Sequence, residues 1–241
     1  MSTLTIVGLG PGPLALLTRE AEAHLLQADK VFFRTSAYPA FGWLEGLGKT
    51  LVTFDGLYTM PWPDTDAMYE FMATALLKEA SVRGHATYAL PGSPSILEDT
   101  TRILRRRARD AGVEIRIVQG LSFLEPALAS IDFDFALGLQ IVLPWTHIEP
   151  RKFSKDIAML ICQVDTRTHP TEPPRIDRTV AWLRTTYPED HPVTLIWPSG
   201  LPAFDTLHLK MPLAGLVEAY GAGKLFASLF VPPLRERSYE K

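Results

Sequence analysis

The chain has 241 residues, 46% of them hydrophobic and 21% charged, with a formal net charge of −3. This balance excludes a disordered chain and gives no general electrostatic attraction to nucleic acid or to an anionic membrane. Since no apolar stretch approaches the roughly 18 residues of a membrane span and no signal pattern opens the chain, we expect a soluble cytoplasmic protein.

The first half of the chain alternates predicted strands and helices. Apolar runs predict strands at 4–7, 30–33, 50–54, 85–90 and 114–118, and helical periodicity predicts helices at 18–27, 66–83 and 96–111. The helix at 66–83 is expected to face the core with Met68, Phe71, Met72, Ala75, Leu76 and Ala80. This alternation predicts a parallel sheet, whose ligand should bind at the carboxyl ends of the strands.

Glycine-bearing turns follow three of these strands: Gly8-Leu9-Gly10-Pro11-Gly12, Pro91-Gly92-Ser93-Pro94 and Gln119-Gly120-Leu121-Ser122-Phe123. Such turns bring backbone close to whatever lies at the sheet edge. We predict that they converge on a pocket for an adenosine-like ligand, with Ser93 and Ser122 as hydroxyl contacts and Ile96 and Phe123 as apolar walls. The alternative is that the glycines only turn the chain sharply.

The first turn also suggests a dinucleotide site, but its spacing disfavours one. Pro13 holds the position of the third glycine, and the next strand ends in Arg34-Thr35-Ser36 where an acidic residue would hold the ribose. A nicotinamide-dependent enzyme stays open as an alternative, because Arg34 would suit a 2′-phosphate.

The other reactive side chains give little support for a catalytic cysteine or a metal site. The single cysteine, Cys162, excludes an internal disulfide and lies in an apolar run, which favours a buried structural thiol over a nucleophile. The six histidines are scattered without ligand spacing, so we predict no metal. The arginines from 102 to 109 indicate a solvated helix face, with an acidic partner as the alternative.

The second half of the chain also has an α/β pattern. Strands are predicted at 139–143, 158–164, 193–197, 208–211 and 225–231, and helices at 175–186 and 213–219.

The order of the motifs carries a family resemblance. In sequence they are Gly8-Leu9-Gly10-Pro11-Gly12, Arg34-Thr35, Phe54-Asp55 with Tyr58, Tyr88-Ala89-Leu90-Pro91-Gly92-Ser93-Pro94, Gly120-Leu121-Ser122-Phe123-Leu124, Gly138-Leu139-Gln140, Gln163-Val164 and Phe230-Val231-Pro232-Pro233. The chain resembles the tetrapyrrole (corrin/porphyrin) methylases over nearly its whole length. More narrowly, it resembles the methylase-like domain that precedes MazG-type nucleotide pyrophosphohydrolases in some bacterial fusions.

The resemblance implies a two-domain class III methyltransferase fold, with an N-terminal α/β domain at 1–125, a C-terminal α/β domain at 126–241 and S-adenosylmethionine in the cleft between them. The cofactor contacts that it implies are Leu9, Pro91, Gly92, Ser93, Ile96, Ser122, Phe123, Ile161, Cys162 and Gln163. The acceptor contacts that it implies are Gly10, Pro11, Arg34, Asp55 and Tyr58. Arg34 and Asp55 have an alternative role in structural ion pairs.

Two departures from the family pattern concern the acceptor. Pro13 stands where the first loop often has an acidic residue, and Ser93 stands where the cofactor loop commonly has Asp or His. A serine can form a hydrogen bond but cannot supply charge.

Methyl transfer from a sulfonium is a single displacement that needs positioning but no covalent nucleophile. Asp55, Tyr58 and Asp165 are candidates for a general base, and no catalytic residue is assigned.

Three functions remain open at this point. The first is an S-adenosylmethionine-dependent methyltransferase for an unidentified small molecule. The second is a catalytically weak S-adenosylmethionine-binding module that works with a separate MazG-type pyrophosphohydrolase. The third is an α/β binding protein or nucleotide enzyme that shares only the fold.

A homodimer is also predicted, since the family commonly dimerises and aromatic residues and methionine are enriched in interface cores. The segment that otherwise suggests loop holds Phe41, Trp43, Leu44, Leu47, Leu57, Tyr58, Met60, Trp62 and, beside it, Tyr69. The alternative is that these side chains cover the acceptor site or fold back on the N-terminal core.

Overall fold

A computed structural model describes residues 2–143, 153–164, 176–197, 207–220 and 227–235. The chain divides into two compact units, the first built on residues up to Glu125 and the second on described residues from Pro126 onward. In the described parts, no helix is both long and apolar enough to cross a membrane.

The first unit is a parallel sheet flanked by helices. Its strands are β1 (Ser2–Gly8), β2 (Lys30–Phe33), β3 (Thr50–Thr53), β4 (His85–Leu90) and β5 (Val113–Val118). The strand order is β3-β2-β4-β1-β5, and every pairing is parallel. The carboxyl ends of all five strands therefore lie at one edge of the sheet, as the sequence predicts.

Five helices connect or follow these strands: α1 (Arg19–Gln27), α2 (Pro39–Gly46), α3 (Thr65–Arg83), α4 (Asp99–Ala108) and α5 (Leu124–Ala129). Helix α1 begins after Thr18, whose side chain accepts a hydrogen bond from the amide of Ala21. Helix α3 begins in the same way after Asp64 and ends at Gly84, which has a left-handed backbone. These caps place the helix ends close to their predicted positions.

Two apolar clusters cover the two faces of the first sheet. One packs α3 and α4 against the sheet, and the other packs α1 and α2 against it. Burial of these side chains supplies the main driving force for folding of the unit.

Three sequence predictions need correction here. Phe71 is 50% exposed, because the core face of α3 follows Met68, Met72 and Leu76, and the Phe71 ring lies beside Trp62 instead. The predicted helix at 96–111 spans only Asp99–Ala108. Part of the segment that suggested loop is helix α2.

The aromatic side chains near α2 mostly pack on the unit's own core. Leu44 and Tyr69 are buried, while Phe41, Trp43, Leu57, Tyr58 and Trp62 are partly buried against the core clusters. Leu47 and Met60 are the exposed members of the set. Most of this set therefore follows the alternative in which the side chains fold back on the core.

The second unit holds a mixed sheet. Its described strands are β6 (Leu139–Val142), β7 (Ala158–Ile161), β8 (Pro192–Trp197), β9 (Leu207–Pro212) and β10 (Ser228–Val231), in the order β6-β7-β10-β8-β9. Only β6 and β7 are parallel among these pairs. Helices α6 (Ile176–Leu183) and α7 (Leu216–Tyr220) contribute to a third apolar cluster on this sheet.

Candidate functional site

The three glycine turns meet at the carboxyl edge of the first sheet. The amide of Leu9 donates to the carbonyl of Leu90 over 2.9 Å, and Gly10 and Gly92 exchange two backbone hydrogen bonds of 3.2 and 2.8 Å. A Cβ atom on Gly8 would lie 2.6 Å from the amide nitrogen of Gly120 and 2.7 Å from the carbonyl oxygen of Gly92. The predicted convergence of the turns is therefore confirmed.

Only glycine fits where the backbones of Gly8, Gly92 and Gly120 meet, because a side chain on Gly8 or Gly120 has no room. A Cβ atom on Gly120 would lie only 2.5 Å from the Gly92 carbonyl oxygen, which is closer than real Cβ contacts come. Because the clashing atoms belong to the backbone, neither neighbour can move aside cheaply. The first, fourth and fifth strand ends thus form one rigid platform.

Gly92 differs from the other two glycines because open space surrounds it. Its backbone has a φ of +69°, and a Cβ atom built there would have no neighbour within 4 Å. Leu97, five residues later, has a φ of +51°, which is uncommon for a residue other than glycine. A strained loop with an uncovered backbone is the kind of segment that accommodates a ligand.

The two predicted hydroxyl contacts also serve their own loops. Ser93 is 9% exposed, and its hydroxyl lies 3.5 Å from the side-chain carbonyl of Gln119 and accepts from the amide of Ser95. The Ser122 hydroxyl accepts from the amide of Leu124 at the start of α5. Both side chains are therefore positioned before any ligand binds.

Other predicted cofactor residues of the first unit lie beside the platform. The side chain of Leu9 is buried in the core, so only its backbone is available for a ligand. Pro91, Ile96 and Phe123 are partly exposed in the turns after β4 and β5. Gly10 and Pro11 are buried within the first turn.

Arg34, a predicted acceptor residue, lies in a buried polar network at the end of β2. Its Nη1 donates to both carboxylate oxygens of Glu98, its Nε donates to Tyr58 Oη over 2.9 Å, and its Nη2 donates to Tyr69 Oη over 2.9 Å. Burial acts to lower the pKa of the guanidinium, but Glu98 and the surrounding tyrosines together outweigh it and raise that pKa above its ordinary value. The ion-pair alternative for Arg34 is thus confirmed.

Asp55 is partly buried and accepts hydrogen bonds from Ser36. The Ser36 amide donates to Asp55 Oδ2 over 2.9 Å, and the Ser36 hydroxyl donates to the same oxygen. Partial burial acts to raise the pKa of Asp55, but its hydrogen bonds from Ser36, Thr35 and Thr53 together outweigh it and lower the pKa. A carboxylate held in its ionised form is a weak base, which disfavours Asp55 as a general base at neutral pH.

Several residues near this edge carry contacts that the sequence did not indicate. The Tyr38 hydroxyl donates to the carbonyl of Gly10 over 2.6 Å and so fixes the first turn. Gln119 links the turn after β4 to the turn after β5, since its side-chain amide nitrogen donates to the Ser95 hydroxyl over 3.3 Å. Glu98 neutralises Arg34. No local motif distinguishes these three side chains, because their partners come from distant parts of the chain.

In the second unit, the predicted cofactor residues lie at the end of β7 and directly after it. Ile161 and Cys162 are buried, and burial raises the pKa of the Cys162 thiol to about 12. This agrees with a structural thiol, since a nucleophile needs the thiolate. Asp165 lies outside the described residues.

Gln163 has two unusual features. Its φ is +52°, and its buried side-chain oxygen Oε1 has no hydrogen-bond partner among the described residues. An unpaired buried acceptor costs free energy unless a further group donates to it. Gln163 is therefore suited to accept a hydrogen bond from an amine or hydroxyl of a ligand.

Nowhere in the described ranges do three acidic, histidine or cysteine side chains gather as a metal site would require.

The sequence matches the family described as Tetrapyrrole (Corrin/Porphyrin) Methylases over residues 3–213. It is 28% identical over 233 residues to the uncharacterized protein YabN of Bacillus subtilis, a match that covers 97% of this chain and 45% of that protein. The chain spans less than half the length of the curated relatives that it matches.

Solved structures share the fold. Uroporphyrin-III-C-methyltransferase from Thermus thermophilus superposes with a TM-score of 0.71 at 18% identity, over 97% of this chain and 93% of that one. A structure of the Thermus enzyme in complex with S-adenosylhomocysteine superposes with a TM-score of 0.70 at 16% identity, over 96% of this chain and 98% of that one.

Proposed function

Because the chain belongs to the tetrapyrrole (corrin/porphyrin) methylase family, we propose that it is an S-adenosylmethionine-dependent methyltransferase whose acceptor is a small molecule not yet identified. The observation that carries this proposal is the open, left-handed Gly92 turn on a platform of three touching loops. A structural neighbour of the same fold binds S-adenosylhomocysteine, which supports the same cofactor class here.

The proposed cofactor contacts belong to both units. In the first unit they are the backbone of Leu9 and the residues Pro91, Gly92, Ser93, Ile96, Ser122 and Phe123. In the second unit they are Ile161, Cys162 and Gln163. The uncovered backbone of Gly92 and the unpaired oxygen of Gln163 both fit a ligand that carries amino and hydroxyl groups.

When bound, the cofactor supplies an electrophilic methyl group on a positively charged sulfur. The protein then has to hold the acceptor in line with that group and keep water away. The rigid glycine platform and the network around Arg34 suit this positioning role. We propose Gly10, Pro11, Asp55 and Tyr58 as acceptor contacts, with Arg34 acting through Tyr58. The catalytic base, if the acceptor needs one, stays unassigned.

A second function has one observation in its favour. The Bacillus relative extends well beyond the part that this chain matches, so a module of this kind occurs within a larger protein. We keep as an alternative that the chain is a catalytically weak S-adenosylmethionine-binding module that works with a MazG-type nucleotide pyrophosphohydrolase. The MazG partner and the cytoplasmic location stay predictions.

The homodimer also stays a proposal. It now rests on the family resemblance and on the exposed side chains of Leu47 and Met60, since the other members of the predicted set pack on the first unit's own core. Light scattering that returns a mass near the 26.8 kDa of one chain would exclude it.

Titration calorimetry with S-adenosylhomocysteine tests the proposed function. We expect one binding event per chain at micromolar concentrations. Absence of heat and of a thermal shift up to millimolar ligand would refute the cofactor class. Binding without methyl transfer to any acceptor would favour the binding-module alternative.

A further inference from the structure

Charge is distributed unevenly at the carboxyl edge of the first sheet. The five loops that follow its strands, 9–18, 34–38, 54–64, 91–98 and 119–123, all lie within the described residues. Together they hold one cation, Arg34, and three carboxylates, Asp55, Asp64 and Glu98. These five loops therefore carry more negative than positive charge.

The one cation of these loops is already neutralised. Arg34 donates from Nη1 to Glu98, and its Nε and Nη2 donate to two tyrosine hydroxyls. Its side chain is 17% exposed and that of Glu98 is 7% exposed. Recruiting Arg34 to an anionic ligand would leave the Glu98 carboxylate buried without its partner, which is strongly unfavourable.

The helix ends at this edge do not reverse the balance. The first turns of α1 to α5 add Arg19 and Arg102, but they also add five carboxylates: Glu20, Glu22, Asp66, Asp99 and Glu125. Arg102 donates to Asp99 over 3.0 Å. By contrast, Asp55 receives only hydroxyl and amide donors in the contacts described above, and its pKa is lowered, so it stays ionised.

Several apolar side chains are exposed in the same loops. Leu14, Leu16, Met60, Leu97 and Leu121 are between 37% and 46% exposed. They come from four of the five loops. An acceptor with an apolar body would bury this surface favourably, at about 25 cal/mol per Å².

We infer that the methyl acceptor is a neutral or cationic molecule with an apolar body, and not a polycarboxylate. This inference rests on the proposed function and deepens it. A carboxylate that leaves water needs a cation or several donors to compensate its desolvation. The five loops at this edge offer no free cation, and Asp55 would repel a carboxylate while attracting an amine.

Uroporphyrin III, a stable porphyrin polycarboxylate, is the probe for the test. Calorimetry first establishes that the full chain binds S-adenosylhomocysteine; failure at this step refutes the proposed function alone. The saturated complex is then titrated with uroporphyrin III and followed by porphyrin fluorescence. We expect no saturable binding at micromolar concentrations. Saturable micromolar binding that high salt weakens would overturn the inference.

A matched pair of variants tests the role of charge at this edge. Met60→Lys adds a cation in the loop after β3, and Val82→Lys adds the same charge near the end of α3, where the side chain is 72% exposed. With both variants titrated up to millimolar porphyrin, we expect Met60→Lys to bind uroporphyrin III about threefold tighter than Val82→Lys, the effect of one exposed ion pair. Equal affinities would overturn the inference that the local charge of this edge excludes carboxylates.

A labelling experiment tests the positive half of the inference. Small molecules from a cell extract are separated by ion exchange into anionic, neutral and cationic pools, and each pool is incubated with the protein and S-adenosylmethionine carrying a labelled methyl group. We expect label in the neutral or cationic pool. Label confined to the anionic pool would overturn the inference, and if no pool is labelled the uroporphyrin titration decides alone.

Discussion

Arg34 and Glu98 form a buried ion pair that joins the end of β2 to the residue before α4. The pair links the 34–38 loop with the turn that carries Gly92, because Glu98 is the last residue of that turn. The same guanidinium reaches Tyr58, so three loops share one charged group. The relative positions of the proposed acceptor and cofactor loops thus depend on this pair.

Removal of Glu98 should destabilise the protein strongly. Glu98→Ala leaves the Arg34 charge buried without compensation, and we expect the free energy of unfolding to fall by about 3 kcal/mol. Urea denaturation measures the change. Glu114→Ala, at an exposed position of β5, serves as the control and should change stability by about 0.5 kcal/mol or less.

The double variant Arg34→Met/Glu98→Ala separates the charge from the packing. Because it removes both charges, it should recover part of the stability that Glu98→Ala loses. A double variant no more stable than Glu98→Ala would show that lost packing, and not an unpaired charge, explains the effect.

Gly92 should tolerate no branched side chain. Gly92→Val places a β-branched residue at a φ of +69°, and the strain should cost about 1–3 kcal/mol of stability. We also expect affinity for S-adenosylhomocysteine to fall at least about tenfold, since the side chain would occupy the open space beside the turn. Calorimetry at a temperature where the variant is folded measures the loss.

Gly46→Ala is the matched control, because Gly46 lies in α2 with an ordinary φ and open space around it. It should bind the cofactor normally. Normal binding by Gly92→Val as well would show that the turn after β4 is not the cofactor loop.

The contribution of Asp55 to stability should depend on pH. Its pKa is lower in the folded state than the roughly 3.9 of an unfolded chain, so its contribution is present above that value and is lost as the pH falls through the folded-state pKa. The stability difference between the natural protein and Asp55→Asn should therefore be larger at neutral pH than near pH 3. Denaturation curves at both pH values test this.

Ser36→Ala identifies the source of the Asp55 effect. If the Ser36 hydroxyl lowers the pKa of Asp55, this variant should reduce the pH dependence. The pair Ser36→Ala/Asp55→Asn should behave like Asp55→Asn alone. A full pH dependence in Ser36→Ala would assign the effect to other donors.

Cys162 should resist thiol reagents in the folded protein. Its side chain is fully buried, and its pKa of about 12 leaves almost no thiolate at neutral pH. We expect a colorimetric disulfide reagent to modify the thiol only after denaturation. Rapid modification of the native protein would show that the end of β7 opens readily to solvent.

Strand ends at the first sheet could be predicted closely because local signals mark them. The apolar runs stop at Gly8, Leu90 and Val118, where glycine or proline follows within two residues. The sequence does not predict helix α2, because the segment from Pro39 to Gly46 is apolar on most sides and shows no helical periodicity. Phe71 was misplaced because i+3 spacing alone does not fix the centre of an apolar face.

The polar network of the site could not be predicted in the same way. The partners of Arg34 lie 24, 35 and 64 residues away along the chain, and the sequence carries no signal for such pairings. Residue type alone leaves Arg34 two roles, ligand contact or ion pair, because a guanidinium suits both. Tertiary packing decided it.

The touching backbones of Gly8, Gly92 and Gly120 also bear on attempts to engineer a new acceptor preference. A side chain at Gly8 or Gly120 would collide with backbone, so a mutant library spent on those two positions would return mainly misfolded proteins. The 54–64 loop offers exposed positions such as Met60, whose side chain is 46% exposed. Directed evolution of specificity should therefore begin in that loop and leave the glycine platform intact.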